Sequence, residues 1–416
     1  MKILFLRPNK DAWGYKPVGL SLLMALEKQK GNEVHLFDTT KYDFSIINSS
    51  AWGQKTGTFK PVNIPSHKKV TDTSSEDFER ELIDFNPDEV WVSLMSDEVD
   101  VARKLTDIAL KYEKVVKWGG VHPTVSPNGH PKGVIVHRGE AFNSLYGIKS
   151  LDDLPYVSWD EYSKEQFIRP YMGKVYRAGD HNVNWGCPYA CAYCINSGVK
   201  SKVQRCTPER IVAELKYLKQ KYRLQFFKFH DEDFLNCSMA HLEELARIYA
   251  DEVALPFVTE TNPKSVTEEK ARLMKDMGCV SISMGLETGN PKLRQDMLKR
   301  SDSIDDVIRA FKTFKKVGIR TSSFNMLGIP FETWETYQET IELNKRAEVM
   351  APYIHIYYPF EGTPLRKVAI ENGFFDPETA PPYSRERSSM VFPNLSPDDL
   401  QQMRDEFVER IKYANL

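Results

Sequence analysis

Three cysteines in one short run carry the most pointed chemistry in this chain: Asn184-Trp-Gly-Cys187-Pro-Tyr-Ala-Cys191-Ala-Tyr193-Cys194-Ile-Asn196. The spacing is C-x3-C-x2-C, with an aromatic residue just before the last cysteine. Three thiolates on one tight loop can hold three irons of a [4Fe–4S] cube and leave the fourth open, whereas an electron-transfer ferredoxin closes all four positions with cysteine. An open iron can bind and activate a substrate or cofactor, so the spacing points to cluster chemistry rather than electron storage. Zinc is the competing reading. It normally takes four protein ligands in two pairs, and the sequence offers no second pair. Cys187, Cys191 and Cys194 are therefore read as metal-ligating and catalytic.

The bulk properties narrow the class. A chain of 416 residues has room for several domains and an ample core. Hydrophobic content of 41% and charged content of 27% are ordinary for a globular protein. The formal net charge is −2, from 56 basic and 58 acidic residues, so no global basic field argues for nucleic acid or an anionic membrane. No apolar run reaches the length needed to span a bilayer. The opening Met-Lys-Ile-Leu-Phe-Leu-Arg reads as a first strand, being too short and too quickly polar for a signal peptide. Six cysteines, half of them in one loop, do not make a disulfide framework, so a reducing, anoxic cytoplasm is expected.

The elements that must position the cysteines form two series. Residues 1–150 alternate strand patterns (2–6, 33–37, 88–94, 115–118, 134–136) with helix patterns (17–28, 99–112). That alternation predicts an α/β fold with a doubly wound, Rossmann-like parallel sheet, which binds ligands beyond the carboxyl ends of its strands. Residues 42–75 are polar, lack a period and read as a long excursion or lid. Residues 151–179 read as a connector. From 180 to 372 a second series opens at 182–184, which leads into the cysteine loop, and continues with strands at 225–229, 256–260, 279–284, 320–326 and 353–357 and helices between them. This predicts a partial (β/α)6 barrel whose carboxyl-end loops carry the chemistry. Residues 373–416 form a tail, helical after Ser396-Pro397-Asp398-Asp399.

The cysteine run resembles the signature loop of radical S-adenosylmethionine (SAM) enzymes, in which SAM chelates the open iron. The resemblance spans about 180–370, and Tyr193 lies at the SAM site in it. In the subgroup with an N-terminal cobalamin-binding domain, an acidic motif after the second barrel strand holds the SAM ammonium group. Here that motif is Phe229-His-Asp231-Glu232-Asp233-Phe234. A cation calls for carboxylates, although an acidic helix cap would look the same. Ser281-Ile-Ser-Met-Gly285-Leu-Glu287-Thr resembles the strand-to-glycine segment that meets adenine, with the Glu287 carboxylate reaching ribose or a neighbouring polar group. Met297-Leu-Lys299-Arg300 implies a guanidinium on the SAM carboxylate, against the alternative of a solvated helix-end arginine. Gly328-Ile-Pro330-Phe-Glu332 resembles the turn that flanks adenine.

Residues 1–145 are similar to the cobalamin-binding domains of the same enzymes. The matching segments are Pro17-Val-Gly19-Leu, Ser93-Leu-Met-Ser96, Gly119-Gly120-Val-His122-Pro123 and Arg138-Gly139-Glu140. By that resemblance Trp13, Gly14, Ser93, Ser96, Gly119, Gly120 and His122 would line a wide corrin face. One departure matters. Many cobalamin proteins supply a cobalt-ligating histidine after the first strand, and the run Asn9-Lys-Asp11-Ala-Trp13-Gly14-Tyr15 contains none. The lower face of a bound corrin is thus not expected to be coordinated from this loop, and His122 reads as a loop hydrogen-bonder.

The resemblance implies three cofactors: a [4Fe–4S] cluster, SAM and cobalamin. It implies C-methylation, in which a 5′-deoxyadenosyl radical removes hydrogen from an unactivated carbon that then takes methyl from methylcobalamin. Expected partners are a small-molecule, peptide or protein substrate and a reductase such as ferredoxin or flavodoxin, with no nucleic acid and no membrane insertion. Two alternatives stand beside it. One keeps both domains for a cyclisation, rearrangement or oxidation without methyl transfer; the other is a non-catalytic cluster protein. A methylthiotransferase would need a second cysteine trio in the N-terminal domain, and no cysteine precedes Cys187.

Overall fold

The computed structural model describes residues 1–412 apart from Ala12, Asn48, Phe59, Pro61, Pro127, Asn128, Lys200 and Ser201. The chain divides into two compact units, one of Met1–Ser49 with Val62–Asp180, the other of Ser50–Pro61 with His181–Leu416. The expected connector at 151–179 lies within the first unit, and the described part of the tail within the second. No described helix is long and apolar enough to cross a membrane.

The first unit is built on five parallel strands. Their order is Glu33–Asp38, Lys2–Arg7, Glu89–Ser93, Val115–Gly119 and Ile135–Val136. Lys2–Arg7 has a strand on either side and is nearly all apolar, with Ile3 to Leu6 buried, as a strand covered on both faces should be. The strand order reverses between Lys2–Arg7 and Glu89–Ser93, and such a reversal opens a crevice at the carboxyl ends.

A twelve-residue helix here was not foreseen. Ser74–Phe85 begins where the sequence reads as the end of a structureless excursion. Glu76 and Asp77 fill its first turn, Phe78, Leu82 and Phe85 point to the core, and Asn86 ends it in a left-handed conformation. The rest of the excursion holds a short helix, Ser49–Lys55, and two-residue strands Tyr42–Asp43 and Val70–Thr71 that pair in parallel.

The second unit carries five parallel strands in chain order: Phe226–Phe229, Phe257–Thr261, Cys279–Glu287, Arg320–Leu327 and Ala351–Ile356. They form a curled half-barrel sheet. The helices Pro208–Tyr222, Met239–Glu252, Glu268–Asp276, Ile304–Lys316 and Trp334–Arg346 each start on a Ser or Thr whose hydroxyl accepts a backbone N–H of the first turn. Strand alternation assigns the two faces. Ser323 and Asn325 hydrogen-bond Asn344 of the helix Trp334–Arg346. Ser322, Phe324 and Met326 therefore face the other side of the sheet.

The edge strand Ala351–Ile356 would present unpaired carbonyls. Trp52 Nε1 donates to Ile354 O at 3.1 Å, and Thr58 Oγ1 to Pro352 O at 3.4 Å. The helix Pro397–Lys412 completes this cover. Its Leu400, Met403, Phe407 and Ile411 join Tyr337, Ile341 and Ile354 in one core, with Arg404 over the Trp52 ring.

Candidate active site

The cysteine loop is bracketed by the antiparallel pair Asn184–Trp185 and Gln204–Arg205. Inside it, Cys194 N donates to Cys191 O and Ser197 N to Cys194 O. Two backbone bonds tie its middle to later segments of the same unit: Ala192 N to Leu298 O at 2.9 Å, and Leu365 N to Ala192 O at 2.8 Å. All three thiols are free, Cys191 buried and its two partners half-buried. Burial, with their mutual repulsion as thiolates, pushes Cys187 and Cys194 up to about 11; burial also raises Cys191, against the pull of Arg300. Among the described residues no three His, Cys, Asp or Glu side chains converge on one metal position. A cube takes each thiolate on a different iron, so thiols set apart on one loop suit it. The donor set fits a [4Fe–4S] cluster.

The three acids after the strand Phe226–Phe229 separate by what they bind. Asp231 is fully buried and accepts Asn184 N at 2.6 Å and Val183 N at 3.2 Å, pinning the approach to the cysteine loop. Burial drives its pKa well up against those two bonds. Asp233 accepts Thr261 Oγ1 at 2.5 Å, Ser265 Oγ at 2.6 Å and Asn262 N at 3.1 Å, and Tyr189 of the cysteine loop reaches the same Ser265 at 3.4 Å. Glu232 alone of the three has a solvent-reaching side chain. It meets Asn196 and Gly186 of the cysteine loop, and desolvation by the surrounding protein, then the Glu260 charge, raise its pKa. Glu260 is itself paired with Lys228 at 2.5 Å.

The glycine segment ends on an irregularity of its strand. The strand Cys279–Glu287 breaks register between Gly285 and Glu287, and Glu287 takes a left-handed φ of 66°. Its carboxylate folds back over Gly285, where an added Cβ would overlap Glu287 Oε1. Glycine at 285 thus makes room for Glu287. Tyr193 donates its hydroxyl to Glu287 Oε1 at 3.0 Å, and Arg300 Nη1 donates to Tyr193 at 2.8 Å. Both Tyr193 and Arg300 contact Oε1. Gly328, at φ 75°, opens the turn after Arg320–Leu327 and donates its N–H to buried Glu332. Two buried residues of this region, Arg294 and Asp302, escaped the sequence reading; the only signal was a second arginine and an acid flanking Arg300.

In the first unit the structure brings five of the seven expected residues together. Ser93 and Gly119 are paired across adjacent strands. Leu94 N donates to Gly119 O at 3.2 Å, His122 N to Leu94 O at 3.3 Å, and His122 Nδ1 lies 3.2 Å from Ser96 Oγ. Gly119 faces open space, whereas a Cβ on Gly120 (φ 100°) would stand 2.9 Å from Leu94 O. Of the three glycines expected at the corrin face, Gly119 is the one with open space beside it. Trp13 and Gly14 have protein neighbours of their own. Trp13 stacks on His67 with centroids 5.6 Å apart, and a Cβ on Gly14 would stand 2.9 Å from Ile168 O. Buried Lys16 anchors the same loop through Asp180 at 2.7 Å, Gln166 O and Ala178 O.

Comparison with known proteins bears on the second unit first. A family model described as the radical SAM superfamily matches residues 182–343. An uncharacterized methyltransferase of Pyrococcus horikoshii is 26% identical over 226 residues, covering 54% of this chain and 48% of the relative. A cytidylyl-2-hydroxyethylphosphonate methyltransferase of Streptomyces wedmorensis is 24% identical over 262 residues, covering 60% and 48%. The chain thus spans about half the length of these relatives. Among solved structures, the radical SAM methyltransferase TsrM of Kitasatospora setae, with tryptophan and a SAM analogue bound, has a TM-score of 0.65. It is 16% identical and covers 90% of this chain and 76% of its own. TsrM has also been solved with cobalamin and a [4Fe–4S] cluster. With the three free thiols on the loop that opens the matched region, residues 182–343 constitute a radical SAM domain.

Proposed function

We propose that this protein is a cobalamin-dependent radical SAM methyltransferase acting on an unactivated carbon. A radical SAM domain works with a [4Fe–4S] cluster and SAM, and needs a reductant and a substrate. The observation that carries the reading is the loop of three free thiols tied to the carboxyl-end segments of a parallel half-barrel, beside one carboxylate with an open side.

Cys187, Cys191 and Cys194 would hold the cluster. Glu232 would take the SAM ammonium group, because Asp231 and Asp233 spend their oxygens on backbone and hydroxyl donors. Glu287 Oε2 and the Gly328 turn would face ribose and adenine. Asp231 and Tyr189 would keep the loop closed over the barrel end and limit water. When bound, cluster and SAM supply hydrogen abstraction from an unactivated carbon, and cobalamin supplies the methyl group.

In the same reading, residues 1–150 form a Rossmann-like cobalamin-binding domain, 151–179 a connector, 180–372 a (β/α)6-type barrel and 373–416 a helical tail. The strand-order reversal, the open space over Gly119 and the Ser93–Ser96–His122 group support a flat ligand in the first unit. The methyltransferase names of the two relatives described above and the cobalamin bound by TsrM support the same reading.

The test is anaerobic reconstitution with iron, sulfide and hydroxocobalamin, desalting, and an ultraviolet–visible spectrum. Corrin bands at about one per chain, lost in Gly119→Val without loss of cluster absorbance, are expected. Cluster without retained corrin in the wild type would reduce residues 1–150 to a scaffold and overturn methyl transfer from cobalamin.

A further inference from the structure

Arg300 has little left to offer a ligand. Its side chain is 4% exposed. Nε donates to Asp302 Oδ1 at 2.9 Å, Nη1 to the Tyr193 hydroxyl at 2.8 Å and to Glu287 Oε1 at 3.4 Å, and Nη2 to Gly285 O at 3.0 Å. All three guanidinium nitrogens are engaged, and each partner belongs to the protein.

The network continues behind it. Arg294 grips the other oxygen of Asp302 through Nη2 and the Asp302 carbonyl through Nε at 2.9 Å. Its Nη1 reaches Leu286 O at 2.5 Å and Thr288 O at 3.3 Å, on either side of Glu287. Two guanidinium groups and two carboxylates therefore balance in a buried cluster, the condition under which buried charge is tolerated. At its centre is Glu287, a non-glycine residue in a left-handed conformation. Such strain persists only where the surroundings over-determine it, and here it coincides with a turn next to the cysteine loop.

The cysteine loop enters this cluster twice. Tyr193, immediately before Cys194, bridges Arg300 and Glu287 through its hydroxyl. Ala192 N bonds Leu298 O, two residues ahead of Arg300. A displacement of either segment must break bonds in the other.

We propose that Arg300 is a positioning residue that does not read the SAM carboxylate. With Tyr193, Asp302 and Arg294 it locks the Glu287 turn to the cysteine loop, so that SAM affinity and cluster geometry are set together. This rests on the reading of the second unit as the SAM site.

The test uses the full-length, anaerobically reconstituted protein and two ligands, SAM and decarboxylated SAM, which lacks the carboxylate. Equilibrium dialysis gives the affinity ratio of variant to wild type for each, and electron paramagnetic resonance follows the reduced cluster. Arg300→Gln and Tyr193→Phe are each expected to weaken both ligands by the same factor, about tenfold for a buried hydrogen bond to a charged group. The SAM-induced change in the cluster spectrum should shrink in parallel. If Arg300→Gln weakens SAM and leaves decarboxylated SAM untouched, Arg300 grips the carboxylate and the proposal is overturned. Should Arg300→Gln lose iron or melt early, Tyr193→Phe decides, since it removes one hydroxyl; unchanged affinity and spectrum there would overturn the relay. A wild type that binds iron and neither ligand would overturn the SAM reading beneath it, separately from the relay.

Discussion

At the scale of single residues, the three acids of residues 231–233 show how one motif divides labour. Asp231 and Asp233 are drawn inward and hold strand ends and the cysteine loop in place. Glu232, between them, meets Asn196 and Gly186 and keeps part of its side chain open to solvent. Exchange of Glu232 for Gln should therefore weaken SAM by about tenfold or more while leaving iron content unchanged, as loss of one charge-assisted bond does. Asp231→Ala should do the reverse and cost iron first, because two backbone N–H groups before the loop lose their acceptor. Iron assay and SAM dialysis on the two variants separate these roles; equal loss of iron in both would mean the acids act together as structure.

At the scale of elements, the edge strand Ala351–Ile356 depends on a segment of the N-terminal excursion. Trp52 is 2% exposed, donates to Ile354 O and lies under Arg404. Trp52→Ala should destabilise the second unit by about 3–5 kcal/mol. Trp52→Phe should cost less, about 1–2 kcal/mol, for the lost bond and smaller ring. Denaturant midpoints measure both, and equal small losses would show that the segment rests loosely on the strand.

The turn after Arg320–Leu327 sets a pH dependence. Burial pushes Glu332 up to about 8, against N–H bonds from Gly328 and Ile329, and its Oε1 has no hydrogen-bond partner. A carboxyl raised in the folded state is most favourable when protonated. Its contribution is therefore complete below the ordinary carboxylate range and declines as pH rises toward about 8. The melting temperature of the wild type should fall relative to Glu332→Gln between pH 5 and about 8. Parallel curves for the two proteins would contradict a protonated Glu332.

How legible the elements were follows from how local their causes are. The five barrel strands and their helices stand within a few residues of the predicted spans, because each helix opens on a Ser or Thr cap and each strand is a compact apolar run. Ser74–Phe85 was within reach, since its capping acids and its Phe78, Leu82 and Phe85 spacing are local signals hidden only by the polar stretch before them. The docking of Trp52 and Thr58 on Ile354 and Pro352 was not, because the partners lie about three hundred residues away. At the site, the three-cysteine loop was legible as a candidate from spacing alone. The left-handed Glu287 and the Arg294–Asp302 pair were not, since they arise from a register break and from tertiary packing.

For the whole molecule, the proposed function is SAM-dependent radical chemistry coupled to transfer of a methyl group. The two products differ: hydrogen abstraction leaves 5′-deoxyadenosine, and methyl donation leaves S-adenosylhomocysteine. A cyclase or oxidase with the same two units would yield the first alone, and a non-catalytic cluster protein neither. The most direct measurement is liquid chromatography with mass detection of both products. It is made after anaerobic incubation of the reconstituted, cobalamin-loaded protein with SAM and a strong reductant, beside Cys191→Ala. Both products are expected from the wild type and neither from the variant. Full cluster loading with no cleavage of SAM would contradict it.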